Sequence, residues 1–174
     1  MRESGQKISI LFVCHSNICR SPMAEFAMKD MVRKKKIDDD FFIASAATTT
    51  AEIWGGRGEP VYPPAVQELK RHGIGVRGND FGVSQKRATL MVKEDYCRYD
   101  FLIGMDEENR YDMKRICRGD PNGKISLLLD FTNHPRSVAD PWYTGNFAAT
   151  WNDVTKGCEA LIAFLQKQKR LPPF

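Results

Sequence analysis

Ile8-Ser9-Ile10-Leu11-Phe12-Val13-Cys14-His15-Ser16-Asn17-Ile18-Cys19-Arg20-Ser21-Pro22 runs without a break from an apolar segment into a helix start. Ile8–Val13 is short and bounded by polar residues, the pattern of a parallel strand buried on both faces. Ser21-Pro22 predicts a helix with Ser at the cap and Pro at the first position, where the missing N–H costs nothing. Met23, Phe26, Ala27 and Met31 share one face of that helix. Between Cys14 at the strand end and Arg20 at the helix start lie only five residues. A loop that short must curl, which turns its backbone N–H groups and the helix N-terminus toward one point.

The residue types then define a chemistry. A free thiol, with a pKa near 8.5, is only a few per cent thiolate at neutral pH; a helix N-terminus with a neighbouring Arg lowers it to about 3.5–7.5. Arg20 offers a planar fork that holds two oxygens of a tetrahedral dianion and stabilises the thiolate. The Ser21 hydroxyl is placed to donate to the sulfur, and Asn17 is short enough for a left-handed turn. Cys14 is the expected nucleophile inside an anion cradle made by His15, Ser16, Asn17, Ile18, Cys19, Arg20 and Ser21.

Outward from this loop the chain alternates. Phe41–Ala46, Tyr99–Met105 and Lys124–Leu129 read as further strands. Ala65–His72 reads as a helix stopped by Gly73, Gln85–Tyr96 as helical turns, and Asp106–Arg118 and Phe147–Gln168 as longer helices. Trp151, Val154, Cys158, Leu161, Ile162 and Leu165 form the inward stripe of the last one. Trp54–Pro64, rich in Gly and Pro, reads as a loop. The expectation is an α/β fold: a single-domain four-stranded parallel sheet with helices on both faces. That domain spans 1–174, with about 7–168 as its core. Ligands of such sheets bind beyond the carboxyl ends of the strands, after Val13, Ala46 and Met105.

Composition excludes several classes. The 174 residues carry 26 Lys+Arg against 22 Asp+Glu, with 42% hydrophobic and 28% charged, which is ordinary for a globular chain. Arg33-Lys34-Lys35-Lys36 is answered at once by Asp38-Asp39-Asp40, so it reads as a solvated helix end, and Lys167–Arg170 suits the end of a helix dipole. No nucleic acid partner and no membrane are expected. Met1–Gln6 leads straight into strand-like residues and leaves no room for a signal peptide, which points to a cytoplasmic protein. Five cysteines without a secretion signal argue against a disulfide framework, and Cys97, Cys117 and Cys158 read as buried, inert thiols. No metal and no cofactor is called for.

The loop Val13–Pro22 resembles the active-site loop of the low-molecular-weight protein tyrosine phosphatases. Asp140-Pro141-Trp142-Tyr143-Thr144-Gly145 is similar to that family's late Asp-Pro-aromatic-aromatic motif. Ser45-Ala46-Ala47-Thr48, His72-Gly73-Ile74 and Tyr99 through Asn109 fall where the family has similar segments. The resemblance implies a metal-independent phosphatase acting on a phosphotyrosine-containing protein or a small aryl phosphate through a cysteinyl-phosphate. It implies Asp140 as general acid and base, and His72 and Ser45 as supports of the phosphate loop. Asp106 is expected to organise the His72 and loop region or to cap its helix. Trp54, Trp142 and Tyr143 are expected to wall the pocket. Cys19 stands close enough in sequence to trap an oxidised Cys14 as a disulfide, with thioredoxin or glutathione as reactivating partner.

The chain departs from the family at Ser16, often Gly, and at Ala47, where Ser-Ala-Gly-Thr is usual; neither change removes a catalytic atom. Three other chemistries remain open. A thioredoxin-coupled arsenate reductase needs two more cysteines in a mobile segment, and residues 79–92 contain none. An arginine phosphatase has Thr where Ile18 stands, and an apolar Ile18 beside Trp142 and Tyr143 suits an aryl ring better. A thiol–disulfide redox protein using Cys14 and Cys19 would leave Arg20 without a purpose.

Overall fold

Ile8, Ile10 and Phe12 turn to one face of strand β1 (Ile8–Cys14), and Leu11 and Val13 turn to the other. All five are buried, so this strand is covered on both sides. The computed structural model describes residues 6–168 and 170–171. In it β1 leads through α1 (Arg20–Lys34) to β2 (Phe41–Ala47), as predicted, and a small hairpin follows, β3 (Ile53–Trp54) and β4 (Arg57–Gly58). Then come α2 (Pro63–Arg71), α3 (Asp95–Arg98), β5 (Phe101–Gly104), α4 (Glu107–Cys117), β6 (Ile125–Leu127), α5 (Pro141–Thr144) and α6 (Phe147–Lys167).

The main sheet has the order β2-β1-β5-β6, and every pairing is parallel. The chain leaves β1 toward β2 and later returns to β5 on the other side. The loops after β1 and β5 therefore diverge at the carboxyl edge, the crevice where such sheets bind ligands. One sheet face packs Ile10, Phe12 and Ile103 against Ala24, Ala27 and Met28 of α1 and Val154, Cys158 and Leu161 of α6. The other packs Leu11, Val13 and Leu102 against Met91, Met113 and Cys117. Each fully buried Ile, Leu or Phe contributes about 1.5–3 kcal/mol. The four-stranded parallel sheet with helices on both faces is thus present. Among the described residues no helix is long and apolar enough to cross a membrane.

Several boundaries differ from the sequence expectation, each for a local reason. Helix α1 begins at Arg20 with Cys19 at its cap and no side-chain cap bond, so Pro22 is not its first residue. The Ser21 hydroxyl is engaged by Cys14 and Asn17 instead of capping. Residues 85–94 are not helical. There Thr89 and Met91 spend their backbone on Ala47, continuing the sheet edge beyond β2. The Trp54–Pro64 loop contains the β3–β4 hairpin, which turns through Gly55 and Gly56, both at positive φ (56° and 78°). The Tyr99–Met105 strand shortens to β5. The Lys124–Leu129 strand ends at Leu127, and the chain tightens into a 3-10 turn over Leu128–Phe131. Cys117 and Cys158 are buried as expected, but Cys97 is exposed on the short α3. Lys167 closes α6, whereas Arg170 reaches back to Asp100 and over the Phe101 ring. Lys169 and Met1–Gly5 lie outside the described residues.

Candidate active site

The phosphate-loop candidates come together at the carboxyl end of β1. Cys14 is the last residue of that strand, and its carbonyl is held by the Thr48 N–H at 3.0 Å. The chain then curls through Asn17, whose φ of 58° is left-handed. None of the backbone N–H groups from His15 to Cys19 donates to a partner among the described residues. With the first turn of α1 behind them, they are left available to an anion. His15 is exposed at its rim, as expected, and Ser16 is half-buried. Ile18 and Cys19 are buried, packing with Ala88 and against Tyr62 and Phe147.

Cys14 Sγ lies 3.0 Å from Ser21 Oγ. Asn17 is the hub beneath: its Nδ2 donates to Ser21 Oγ (2.8 Å) and to Ser45 Oγ (2.9 Å), and its Oδ1 accepts from the Thr89 N–H. The Ser45–Asn17 contact is therefore present. Arg20 is almost wholly buried, and its Nη1 meets Asp106 Oδ2 at 2.5 Å while its Nη2 meets Asp140 Oδ2 at 3.1 Å. Burial by itself would lower the guanidinium pKa. The neighbouring Cys14 sulfur and the Asp106 and Asp140 carboxylates outweigh that and raise it, so the fork stays charged. The Cys19 thiol is pushed well up, first by burial and then by the neighbouring Cys14.

Asp140 caps α5, accepting from the Trp142 N–H at 3.0 Å with Oδ1 while Oδ2 faces Arg20. Asp106 caps α4 through the Asn109 N–H. Cys14, Arg20, Asp106, Asp140, Trp142 and Tyr143 line one cavity of about 490 Å³. The Trp142 ring is backed by Tyr62 at 5.2 Å, whereas Tyr143 projects into solvent.

Three expectations need correction. His72 does not reach the phosphate loop. Its Nε2 lies 3.1 Å from Glu68 Oε1 and its ring stacks on Trp151, because the C-terminal end of α2 faces α6. For the same reason Asp106 organises Arg20 and its own helix, not His72. Trp54 stands exposed on the β3–β4 hairpin and does not line the cavity; Ala51 and Glu52 wall that side. Two residues escaped the sequence reading. Glu25, buried on α1, accepts from Ser45 Oγ (2.5 Å), and Lys86 approaches both Glu25 and the Ser45 carbonyl. Glu25 had a signal, an acidic residue on an apolar helix face; Lys86, in an irregular segment, had none.

A thiol at the end of a strand, a buried guanidinium fork and a carboxylate on the facing loop, gathered on one cavity, are the arrangement of a phosphatase of α/β architecture. The family profile of low molecular weight phosphotyrosine protein phosphatase matches residues 9–171. The low molecular weight protein-tyrosine-phosphatase YfkJ of Bacillus subtilis is 34% identical over 167 residues, covering 94% of this chain and 99% of that protein. PtpA of Staphylococcus haemolyticus, of the same description, is 34% identical, covering 94% and 97%. The crystal structure of YfkJ superposes with a TM-score of 0.84 at 33% identity, over 96% of this chain and 99% of that one. That of SP-PTP from Streptococcus pyogenes gives 0.74 at 33%, over 92% of each. The chain belongs to the low molecular weight phosphotyrosine protein phosphatase family.

Proposed function

We propose that this protein hydrolyses phosphotyrosine, in proteins or in small aryl phosphates, through a cysteinyl-phosphate on Cys14. The observation that carries this reading is the convergence of Cys14, the Arg20 fork and Asp140 on one cavity. The phosphoryl dianion enters the loop and takes its hydrogen bonds from the free N–H groups and from Arg20. The Cys14 thiolate attacks phosphorus as the bond to the tyrosine oxygen breaks, and Asp140, protonated from solvent, gives its proton to the departing phenolate. Water then attacks the phosphocysteine, Asp140 takes a proton from it, and phosphate leaves as the thiolate is restored. Ser21 supports the sulfur both as nucleophile and as leaving group. Ile18, Trp142 and Tyr143 offer apolar walls suited to an aryl ring more than to a guanidinium.

The residues from about 7 to 168 serve as one catalytic unit working in the cytoplasm, without metal or cofactor. Cys19 packs under the loop beside Cys14, and that proximity supports a redox role. Peroxide converts the Cys14 thiolate to a sulfenic acid, and the Cys19 thiol displaces water to form a disulfide, which thioredoxin or glutathione reduces. The main reading is tested by hydrolysis of a chromogenic aryl phosphate. Turnover unaffected by chelators, blocked by vanadate and abolished in Cys14→Ser is expected. Activity of Cys14→Ser within tenfold of wild type would refute it, and preference for phosphoarginine would move the assignment to an arginine phosphatase.

A further inference from the structure

We propose that Lys86 is a positioning residue for the nucleophile: acting through Glu25, Ser45, Asn17 and Ser21, it fixes the Ser21 hydroxyl as a donor to the Cys14 sulfur. The inference rests on the reading of Cys14 as nucleophile and adds what keeps its sulfur supplied with a donor.

The direction of every hydrogen in this chain follows from the donor inventory. Glu25 is a buried carboxylate. Its Oε1 accepts from Lys29 Nζ at 2.6 Å, and its Oε2 accepts from Ser45 Oγ at 2.5 Å and lies 3.3 Å from Lys86 Nζ. A serine has one hydroxyl hydrogen, and Ser45 spends it on Glu25. Ser45 Oγ is therefore an acceptor toward Asn17 Nδ2 at 2.9 Å. The Thr89 N–H on Oδ1 settles which end of the Asn17 amide is which. Its two amide hydrogens then go to Ser45 and to Ser21, so Ser21 Oγ also accepts. The one hydrogen left on Ser21 has two acceptors within reach, Cys14 Sγ at 3.0 Å and the Ala46 carbonyl at 3.5 Å. The nearer sulfur takes it, and a hydrogen bond donated to sulfur favours the thiolate.

The polarity of the whole chain thus originates in the charge on Glu25. Lys86 secures that charge from outside helix α1, with its ammonium also donating to the Ser45 carbonyl at 2.8 Å. Without the cation a buried carboxylate would be left with Lys29 alone, and an undercompensated buried charge takes up a proton or turns away. Ser45 would then lose the acceptor that directs its hydrogen, and the arrangement down to Ser21 would no longer be single. The other groups facing Cys14 are Arg20 and Cys19, Asp106 ahead of α4, Asp140 ahead of α5, and His15, Glu52 and Glu108 around the cavity. Glu25 faces Lys29, Lys86 and, at longer range, Tyr99.

The test is the pH profile of Cys14 alkylation by iodoacetate, which reads thiolate directly and needs no turnover. Lys86→Gln should cut the rate about three- to tenfold on the acid side of the wild-type midpoint, with the loss recovered above it, as expected for an upward shift of the thiol by about half a unit to one unit. Lys86→Arg should stay within about twofold of wild type, and Lys86→Gln should add nothing in a Ser21→Ala background. A wild-type profile in Lys86→Gln, or an undiminished effect without the Ser21 hydroxyl, overturns the proposal. Ser45→Ala breaks the chain without removing a charge and carries the test if Lys86→Gln does not fold. It must shift the profile the same way, and an unshifted profile overturns the proposal. A wild-type profile with the midpoint of an ordinary thiol would instead refute the nucleophile assignment itself.

Discussion

Asp140 Oδ2 accepts from Arg20 Nη2 at 3.1 Å, so the proposed proton donor and the phosphate-holding fork are joined to each other in the open site. On the proposed mechanism an incoming phosphoryl group would compete with Asp140 for that nitrogen and free its carboxyl for the leaving oxygen. Asp140→Asn should therefore separate binding from turnover. Vanadate should bind as tightly as to wild type or a few times more tightly, while kcat falls roughly 10²–10⁴-fold.

The leaving group provides a sharper check on the same residue. A phenolate that is already stable needs little help from an acid, so the Asp140→Asn loss should shrink for phosphates of leaving-group pKa about 7 relative to about 10. Equal losses for both would place the acid elsewhere.

Arg20 is held on its other side by Asp106 at 2.5 Å and by the Val138 carbonyl at 3.1 Å. Asp106→Ala should leave the guanidinium free to wander and lower kcat/KM about tenfold, the equivalent of roughly 1.4 kcal/mol. Arg20→Lys should cost far more, because a point charge cannot reproduce a bidentate fork. Steady-state kinetics with one aryl phosphate ranks the two; a milder effect of Arg20→Lys would remove the fork from the mechanism.

Thiol burial makes alkaline pH a stability variable. Burial, helped by Asp95 and Asp120, pushes the Cys117 thiol from about 9 up to about 11. The unfolded chain thus releases this proton from about pH 9 upward while the folded chain retains it, so the contribution is complete below about 9 and is lost as pH rises toward 11. Cys117→Val should flatten the fall of Tm between about pH 9 and 10.5 compared with wild type. An unchanged slope would show that Cys117 is open to solvent.

Gly157 lets α6 approach the 3-10 turn closely. A Cβ at this position would sit 2.4 Å from Leu128 Cγ. Gly157→Ala gains about 1 kcal/mol of helix propensity but overpacks the core by about 1–3 kcal/mol, so denaturant unfolding should show a net loss of about 1 kcal/mol. A stabilised variant would mean the two elements part easily.

Much of the site was legible because its parts are neighbours in sequence. Cys14, Asn17, Arg20 and Ser21 lie on one strand-loop-helix unit whose brevity dictates the curl and the left-handed Asn17. Strand burial was legible as well, since an apolar run such as Ile8–Val13 has no polar face to give to water. His72 was misplaced because its neighbour Gly73 marks where a helix stops but carries no information about which surface that end meets. Trp54 was misplaced because aromatic character does not reveal on which side of a hairpin a ring emerges.

The sequence by itself determined the parallel α/β architecture and the meeting of Cys14, Asn17 and Ser21 in one loop, through periodicity and through contacts only a few residues apart. Only the tertiary structure decided that Arg20 is clamped between Asp106 and Asp140, residues separated from it by 86 and 120 positions. It likewise brought Lys86 from an irregular segment onto Glu25 and Ser45. Such pairings depend on how the loops after β1 and β5 diverge at the sheet edge and on where the other connections are laid. That is a matter of packing the whole core, and no local pattern of residues encodes it.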